Sequence, residues 1–333
     1  MKKFINSPET VVPDYLAGLV AANPDIIALD PSPRVLRRTD IGARRKVGLI
    51  AGGGSGCEPL HTGFVGPGML DAACPGEIFT SPVPDQIIAA TRATESGAGT
   101  VHIVKNFTGE VMNFGIAQEI LAFEDIRPVT VLINDDCSIP DDDESAGRRG
   151  LGATVLVEKI AGAAAERGDD LDAVVSIARR VNARARTFSV GLTSCIPPAR
   201  GKPIYQMADD EMDIGIGISG SPGRKRVPLR QAAEIAGVLL QEVLSDLKPA
   251  KGARILTLLS GLGGTPESEL YLLYGEVHAC LMRAGYDPAR ALVGNYVTSL
   301  EQMGAALTLL ELDDEMTELW DAPVHTADLR WGR

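Results

Sequence analysis

The chain has 333 residues, 45% of them hydrophobic and 23% charged, the proportions of a soluble globular protein long enough for two cores. A formal net charge of −12 works against a nucleic-acid partner, and 5% aromatic content leaves little for base-stacking platforms. The five cysteines, Cys57, Cys74, Cys137, Cys195 and Cys280, are scattered and form no C-x-x-C pair, which argues against a zinc site or disulfide framework and for the reduced cytoplasm.

Near the start, Asn6, Pro8, Glu9, Pro13 and Asp14 interrupt any apolar run after the two lysines, so no signal peptide is expected. Nor is any other apolar run long enough for a membrane span. VGLIAGG, from Val47, reads as a buried strand entering a glycine turn. TVHIVKNF at 100–107 is a second strand, followed by a helix from near Val111, and VTVLIND at 129–135 is a third strand. The acidic run at 141–145 is expected to be a solvated loop.

Val157, Ile160, Ala161 and Ala164 recur at helical spacing before Gly168, a natural helix stop, and Val174, Ile177, Ala178 and Val181 repeat the pattern. From Phe188 onward come strand SVGLTSCIPP, glycine-interrupted strand DIGIGISG, helix QAAEIAGVLLQEVLSDL and strand RILTLLSGLGG. Helix ELYLLYGEVHACLMRAG and strands ALVGNYV and MGAALTLLEL complete the second half. This alternation predicts an α/β protein of two α/β domains with mainly parallel or mixed sheets, divided as 1–190 and 191–333.

GGGSGCEP, at 52–59, puts four glycines within five residues after a strand, exposing backbone N–H groups to a phosphate or a small hydroxylated molecule. No Gly-Lys-Ser/Thr follows, so it is not a P-loop, and it lacks the strict dinucleotide spacing. Three further loops fall at or near strand ends: TSPVPDQI with Ser81, KNFTGEVMNFG with Lys105 and Glu110, and DIGIGISGSPG with Ser219. Ligands of open α/β sheets lie beyond the carboxyl ends of strands, so these loops are expected to converge on one small molecule. Arg224, Lys225 and Arg226 follow Ser219; a basic run of this kind is usually solvated, and anion binding is the alternative.

The run from GGGSGCEPLHTGF to TSPVPDQI resembles the first signature of the dihydroxyacetone kinase substrate-binding subunit family. KNFTGEVMNFG, GRRGLGATVLVEKIAGAAAERG, IGIGISGSPG, SGLGGTPESELYLLY, NYVTSLEQMG and WDAPVHT resemble its later signatures in the same order. The resemblance implies two α/β domains, a homodimer, and a ketone held as a hemiaminal on a histidine. It also implies a histidine and an aspartate that handle the proton of the accepting hydroxyl. The resemblance further implies that the nucleotide belongs to a partner subunit or fused domain, so no cofactor or metal is expected on this chain, and ATP with magnesium, or ADP recharged by a phosphotransferase chain, is expected on the partner.

The binding-loop residues Gly53, Gly54, Ser55 and Ser81 are retained, with Lys105 in its motif, but all three chemical positions differ. Ser219 stands in place of the covalent histidine of G-I-H-G, Cys57 in place of the histidine of G-S-G-H-E-P, and Glu110 in place of the aspartate of T-G-D-V. Serine offers no nitrogen for a stable adduct, so substrate is expected to bind without a covalent link. Cys57 is a thiolate candidate or an inert filler, and Glu110 keeps a carboxylate one methylene further out. His61 matches the family and is expected to serve structure or to support the residues that touch substrate, rather than to act as a catalyst. The resulting expectation is the substrate component of a kinase acting on a terminal hydroxyl of a small ketose, polyol or sugar-acid derivative. The alternative is a non-catalytic metabolite-binding or regulatory paralogue.

Overall fold

The computed structural model describes residues 2–41, 45–140 and 147–332; the acidic run at 141–145 lies outside the described residues. The chain forms two compact units. The first unit draws on 2–133, 154–181 and 315–332, and the second on 134–153 and 182–314.

The first unit opens with α1 (Val11–Ala22), β1 (Ile27–Pro31), β2 (Arg34–Arg38), β3 (Gly48–Ser55) and β4 (Ala72–Ile78). There follow α2 (Pro84–Thr94), β5 (Thr100–Lys105), α3 (Thr108–Ala122), β6 (Val129–Ile133), α4 (Ala153–Arg167) and α5 (Leu171–Ala183). Its sheet has the order β1-β2-β4-β3-β5-β6, parallel from β4 to β6, with β1 and β2 antiparallel at one edge. The right-handed crossovers that parallel pairing requires place α2 and α3 on the sheet. There Ile87, Ile88, Phe114, Ala117 and Leu121 pack on Ile50, Cys74 and Val104.

Across 153–165, α4 is buried on every face, unlike an ordinary surface helix. Gly162 lets it approach Met69 closely, since a β-carbon there would stand 2.5 Å from the Met69 Cα. Asp71 anchors the adjoining segment, accepting from Arg38 at 3.1 Å, Lys46 at 2.7 Å and the Leu49 N–H at 2.8 Å. α5 carries its apolar stripe as the spacing predicts, with Val174, Ile177, Ala178 and Val181 buried. Gly168 stops α4 at φ 98°.

The second unit contains β7 (Ala185–Gly191), β8 (Glu211–Ile214), β9 (Lys225–Pro228), α6 (Ala232–Leu247), β10 (Arg254–Gly261), α7 (Glu267–Arg283), β11 (Asp287–Gly294) and β12 (Gly304–Glu311). Its sheet runs β11-β10-β12-β7-β8-β9; β10–β11 is parallel and the other pairs are antiparallel. α6 and α7 pack on it through Leu239, Val243, Leu270 and Val277 against Phe188, Leu259 and Leu307. The final segment, α8 (Asp314–Asp321) with β13 (Val324–His325) and β14 (Arg330–Trp331), returns to the first unit.

One boundary at 190 was the expectation from sequence; instead the chain changes unit four times. The physical reason is the pairing of β7: its neighbours are β12 and β8, so it belongs within a sheet and not at its entrance. The glycine tract also differs from expectation. Gly52, Gly53 and Gly54 are strand residues of β3, and the turn comes only at Gly56, with φ 102°.

Candidate functional site

Close approach is the reason for glycine in this strand. A β-carbon at Gly52 would lie 2.8 Å from the Cys74 carbonyl oxygen, and one at Gly54 would lie 2.6 Å from the Thr80 nitrogen. At Gly53 the added carbon would meet the Lys105 ammonium, and it would lie 3.0 Å from Glu110 Oε1 and 3.2 Å from His61 Nε2. Next to it the β3–β4 register shifts between Gly53 and Ser55, a bulge of the kind that re-aims backbone at functional sites.

Lys105 is the last residue of β5, and Glu110 stands in the first turn of α3. Spacing alone predicts that helix from near Val111; it starts at Thr108, so Glu110 is a helical residue and is buried rather than a surface glutamate after a strand. Lys105 Nζ lies 3.0 Å from Glu110 Oε1 and donates to His61 Nε2 at 2.8 Å. His61 Nδ1 lies 2.5 Å from Oε1 of Glu158 on α4. Lys105, Glu110 and His61 are only 3–4% exposed, and Glu158 is wholly enclosed. Glu110 Oε2 and Glu158 Oε2 are buried without a hydrogen-bond partner among the described residues.

These contacts decide the protonation pattern. Lys105 donates to Nε2, so the imidazole proton is on Nδ1 and lies between His61 and Glu158. Burial first, and the Lys105 charge second, hold the imidazole well below its ordinary pKa, so the ring is neutral. Burial pushes the Glu110 carboxyl up, and Lys105 pulls it partly back. Burial likewise pushes Glu158 well up, against the same Lys105 charge.

The Ser81 turn docks on α3: Ser81 Oγ would stand 2.7 Å from a β-carbon at Gly109, and Asn113 donates to the Pro82 carbonyl at 2.7 Å. Ser55 gives its hydroxyl proton to the Gly76 carbonyl at 2.7 Å. Cys57 is buried and forms no disulfide. Gly53, Gly54 and Ser55 line a small cavity with Glu58, His61 and Cys74. Gly53, Lys105 and Glu110 are therefore brought together, with His61 in direct contact with Lys105. Glu158 was not found from sequence. The available signal was a charged pair, Glu158 and Lys159, inside a helix otherwise almost wholly apolar, where charges require buried partners.

Ser219 belongs to the second unit and is half-buried, in a segment with Gly215 and Gly220 at φ 71° and 75°. Within that unit Arg149 donates to Asp136 at 2.7 Å and to the Gly215 carbonyl at 3.4 Å. The basic run after Ser219 is largely internally paired: Arg224 with Glu242 at 2.9 Å and Arg226 with Asp213 at 3.0 Å.

A Gly53→Ala change is expected to cost roughly 1–3 kcal/mol through overpacking against the Lys105 cluster. A melting scan should show a fall of several degrees, whereas Gly115→Ala, where nothing lies within 4 Å of the added carbon, should hold or gain stability. Equal melting of the two variants contradicts the close-approach argument.

Residues 17–328 match the family described as the Dak1 domain. The chain is 42% identical over 357 aligned positions to the PEP-dependent dihydroxyacetone kinase, dihydroxyacetone-binding subunit DhaK, of Escherichia coli K12, with all of both chains covered. It superposes on the dihydroxyacetone kinase operon co-activator Dha-DhaQ with a TM-score of 0.89 at 30% identity, covering 94% of this chain and 97% of that one. It also superposes on the dihydroxyacetone kinase of C. freundii in complex with AMP-PNP and Mg2+, with a TM-score of 0.90 at 31% identity, covering 99% of this chain and 61% of that one. No helix among the described residues is long and apolar enough to cross a membrane, and no described group of three His, Cys, Asp or Glu residues is placed to hold a metal.

Proposed function

We propose a function from one premise: this chain belongs to the Dak1 family. It is the substrate-binding component of a dihydroxyacetone kinase-like phosphotransferase, acting on a terminal hydroxyl of a small ketose, polyol or sugar-acid derivative. The observation that carries this reading is the buried Lys105–Glu110 pair at the carboxyl ends of β3 and β5, beside the side-chain-free Gly53. Glu110 Oε2, buried and unpartnered, is the acceptor available to a substrate hydroxyl. As the new P–O bond forms at that hydroxyl oxygen, its proton passes to Glu110, and the bond from phosphorus to the donor's leaving oxygen breaks. Phosphoryl transfer depends chiefly on positioning and charge stabilisation, so the nucleotide partner supplies the remainder.

Substrate is held without a covalent bond. Ser219, at the position of the family's covalent histidine, has no nitrogen to add to a carbonyl, and both nitrogens of His61 are engaged by Lys105 and Glu158. Gly53, Gly54, Ser55, Ser81 and Lys105 are assigned to substrate. Cys57, buried as it is, serves as a small filler and not a nucleophile. ATP and magnesium sit on a nucleotide-binding partner, as the AMP-PNP and Mg2+ of the longer C. freundii chain suggest. The protein works in the cytoplasm as a homodimer.

A second reading has its own support. The likeness to an operon co-activator fits a metabolite-sensing role for the same fold. One experiment separates the two: the purified chain is mixed with a purified nucleotide-binding subunit, ATP and magnesium, and phosphate esters are followed by 31P NMR across a panel of small ketoses, polyols and sugar acids. Ester formation is expected; ligand-induced melting shifts with no ester anywhere in the panel favour the sensor. Borohydride treatment with dihydroxyacetone, followed by intact mass, should leave the chain unmodified, and a mass gain would overturn non-covalent binding.

A further inference from the structure

In the proposed reaction Glu158 and His61 touch neither the substrate hydroxyl nor the phosphoryl group, yet they form a continuous buried chain to the proposed base. Glu158 meets His61 at 2.5 Å, His61 meets Lys105 at 2.8 Å, and Lys105 meets Glu110 at 3.0 Å. The four side chains come from α4, the segment after β3, the end of β5 and the first turn of α3. Burying two carboxylates, a lysine and an imidazole is costly, and a packed apolar cluster would be as stable or more so. Polar groups kept at such a cost at the end of a sheet invite a role in chemistry.

We propose that His61 and Glu158 are positioning residues that draw Lys105 partly away from Glu110, so that Glu110 remains able to take the proton of the substrate hydroxyl. The inference rests on the reading of Glu110 as base. Lys105 Nζ is almost equidistant from His61 Nε2 and Glu110 Oε1. Above its raised pKa, the Glu158 carboxylate draws on the Nδ1 proton and enriches Nε2, which strengthens the pull on Lys105 away from Glu110. Without that pull, Lys105 closes on Glu110 as a full ion pair, and a fully paired carboxylate is a weaker base. Gly53 completes the device, because any side chain at that position would occupy the space where Lys105 reaches both partners.

The first test uses the wild-type protein. Imidazole-selective 15N spectra distinguish the two neutral tautomers, and His61 is expected neutral with its proton on Nδ1 at pH 7. A proton on Nε2, or a doubly protonated ring, overturns the proposal. The second test is Glu158→Gln, which keeps an acceptor for Nδ1 and removes the ionisable carboxyl. With the nucleotide-binding subunit and ATP–magnesium, the acid limb of kcat should move down by at least about half a pH unit, with KM changed less than about twofold. A lower plateau with an unmoved limb is what a merely structural role gives, and it overturns the proposal. The third test needs no turnover: in 13C-carboxyl spectra, the Glu110 resonance, identified by its loss in Glu110→Gln, should titrate at lower pH in Glu158→Gln than in wild type. An unchanged midpoint overturns the relay even where Glu110 proves to be the base. Full transfer by Glu110→Gln strikes the base assignment instead, and the midpoint comparison then decides the relay separately.

Discussion

Glu110→Gln is expected to lower phosphate transfer by about 10²–10⁴-fold, the range that a positioned general base supplies. Glutamine has the shape of glutamate but cannot receive the proton, so the loss should fall on kcat with a smaller effect on KM. Lys105 also loses its ion partner, and an ammonium left buried without its counter-charge costs several kcal/mol, so melting must be followed alongside activity. Glu110→Asp separates the two effects: it restores the charge and withdraws it by one methylene, to the residue of the T-G-D-V signature. Transfer within about tenfold of wild type is expected for that variant. Because burial raises the Glu110 carboxyl, activity should decline on the acid side from a pH above the ordinary carboxylate range. Wild-type rates from Glu110→Gln in steady-state assays would remove Glu110 from the chemistry.

The second large effect concerns stability and lies at the far side of α4. Lys159 is fully buried, donates to the Leu319 carbonyl at 2.7 Å and stands 5.4 Å from the Trp331 ring centroid. Desolvation pulls its pKa down to about 7, with Asp321 opposing. In an unfolded chain the same amine titrates near 10.4. Below about pH 7 both states are protonated, and the full cost of enclosing an ammonium weighs on the fold. Between about 7 and 10.4 only the unfolded chain binds the proton, so this group's contribution to stability rises with pH by about 1.4 kcal/mol per unit.

Lys159→Met fills a similar volume without the charge, so it should be more stable than wild type at pH 6–7, with the advantage fading towards pH 10. Urea midpoints of the two proteins at pH 7, 8.5 and 10 test this, since subtraction cancels the other titrating groups. Trp320 and Trp331, the chain's two tryptophans, have ring centroids 5.2 Å apart and supply the fluorescence signal. Parallel pH profiles for the two proteins would refute the assignment.

Long periodic elements were legible from sequence. The buried stripe of α5, the run of α6 and the strands β5, β6, β10 and β12 fall where spacing and β-branched content put them. The shorter elements escaped. β4 contains Pro75 and Gly76, which break any strand signal, and its place beside β3 follows only from partners in the sheet. β9 is four residues long and takes two of them from a basic run that reads as solvated, yet Arg226 pairs with Asp213 across the β8–β9 ladder. The candidate site divides in the same way. Gly53, Lys105 and Glu110 announce themselves in motifs at strand ends, where topology puts ligands. Glu158 lies 97 positions beyond His61, and nothing in local spacing joins them. Their pairing exists only once α4 is packed against the segment that follows β3.

The fourfold passage of the backbone between units bears on how the molecule can be divided. Truncation at residue 190 would not liberate an independent half. It would strip α8 and the Trp331 hairpin from one body and leave the other with β7 but without β12 and β8, the strands that flank it. Protease nicking or split-gene expression should therefore yield fragments that must associate to fold, and the smallest autonomous piece is close to the whole polypeptide.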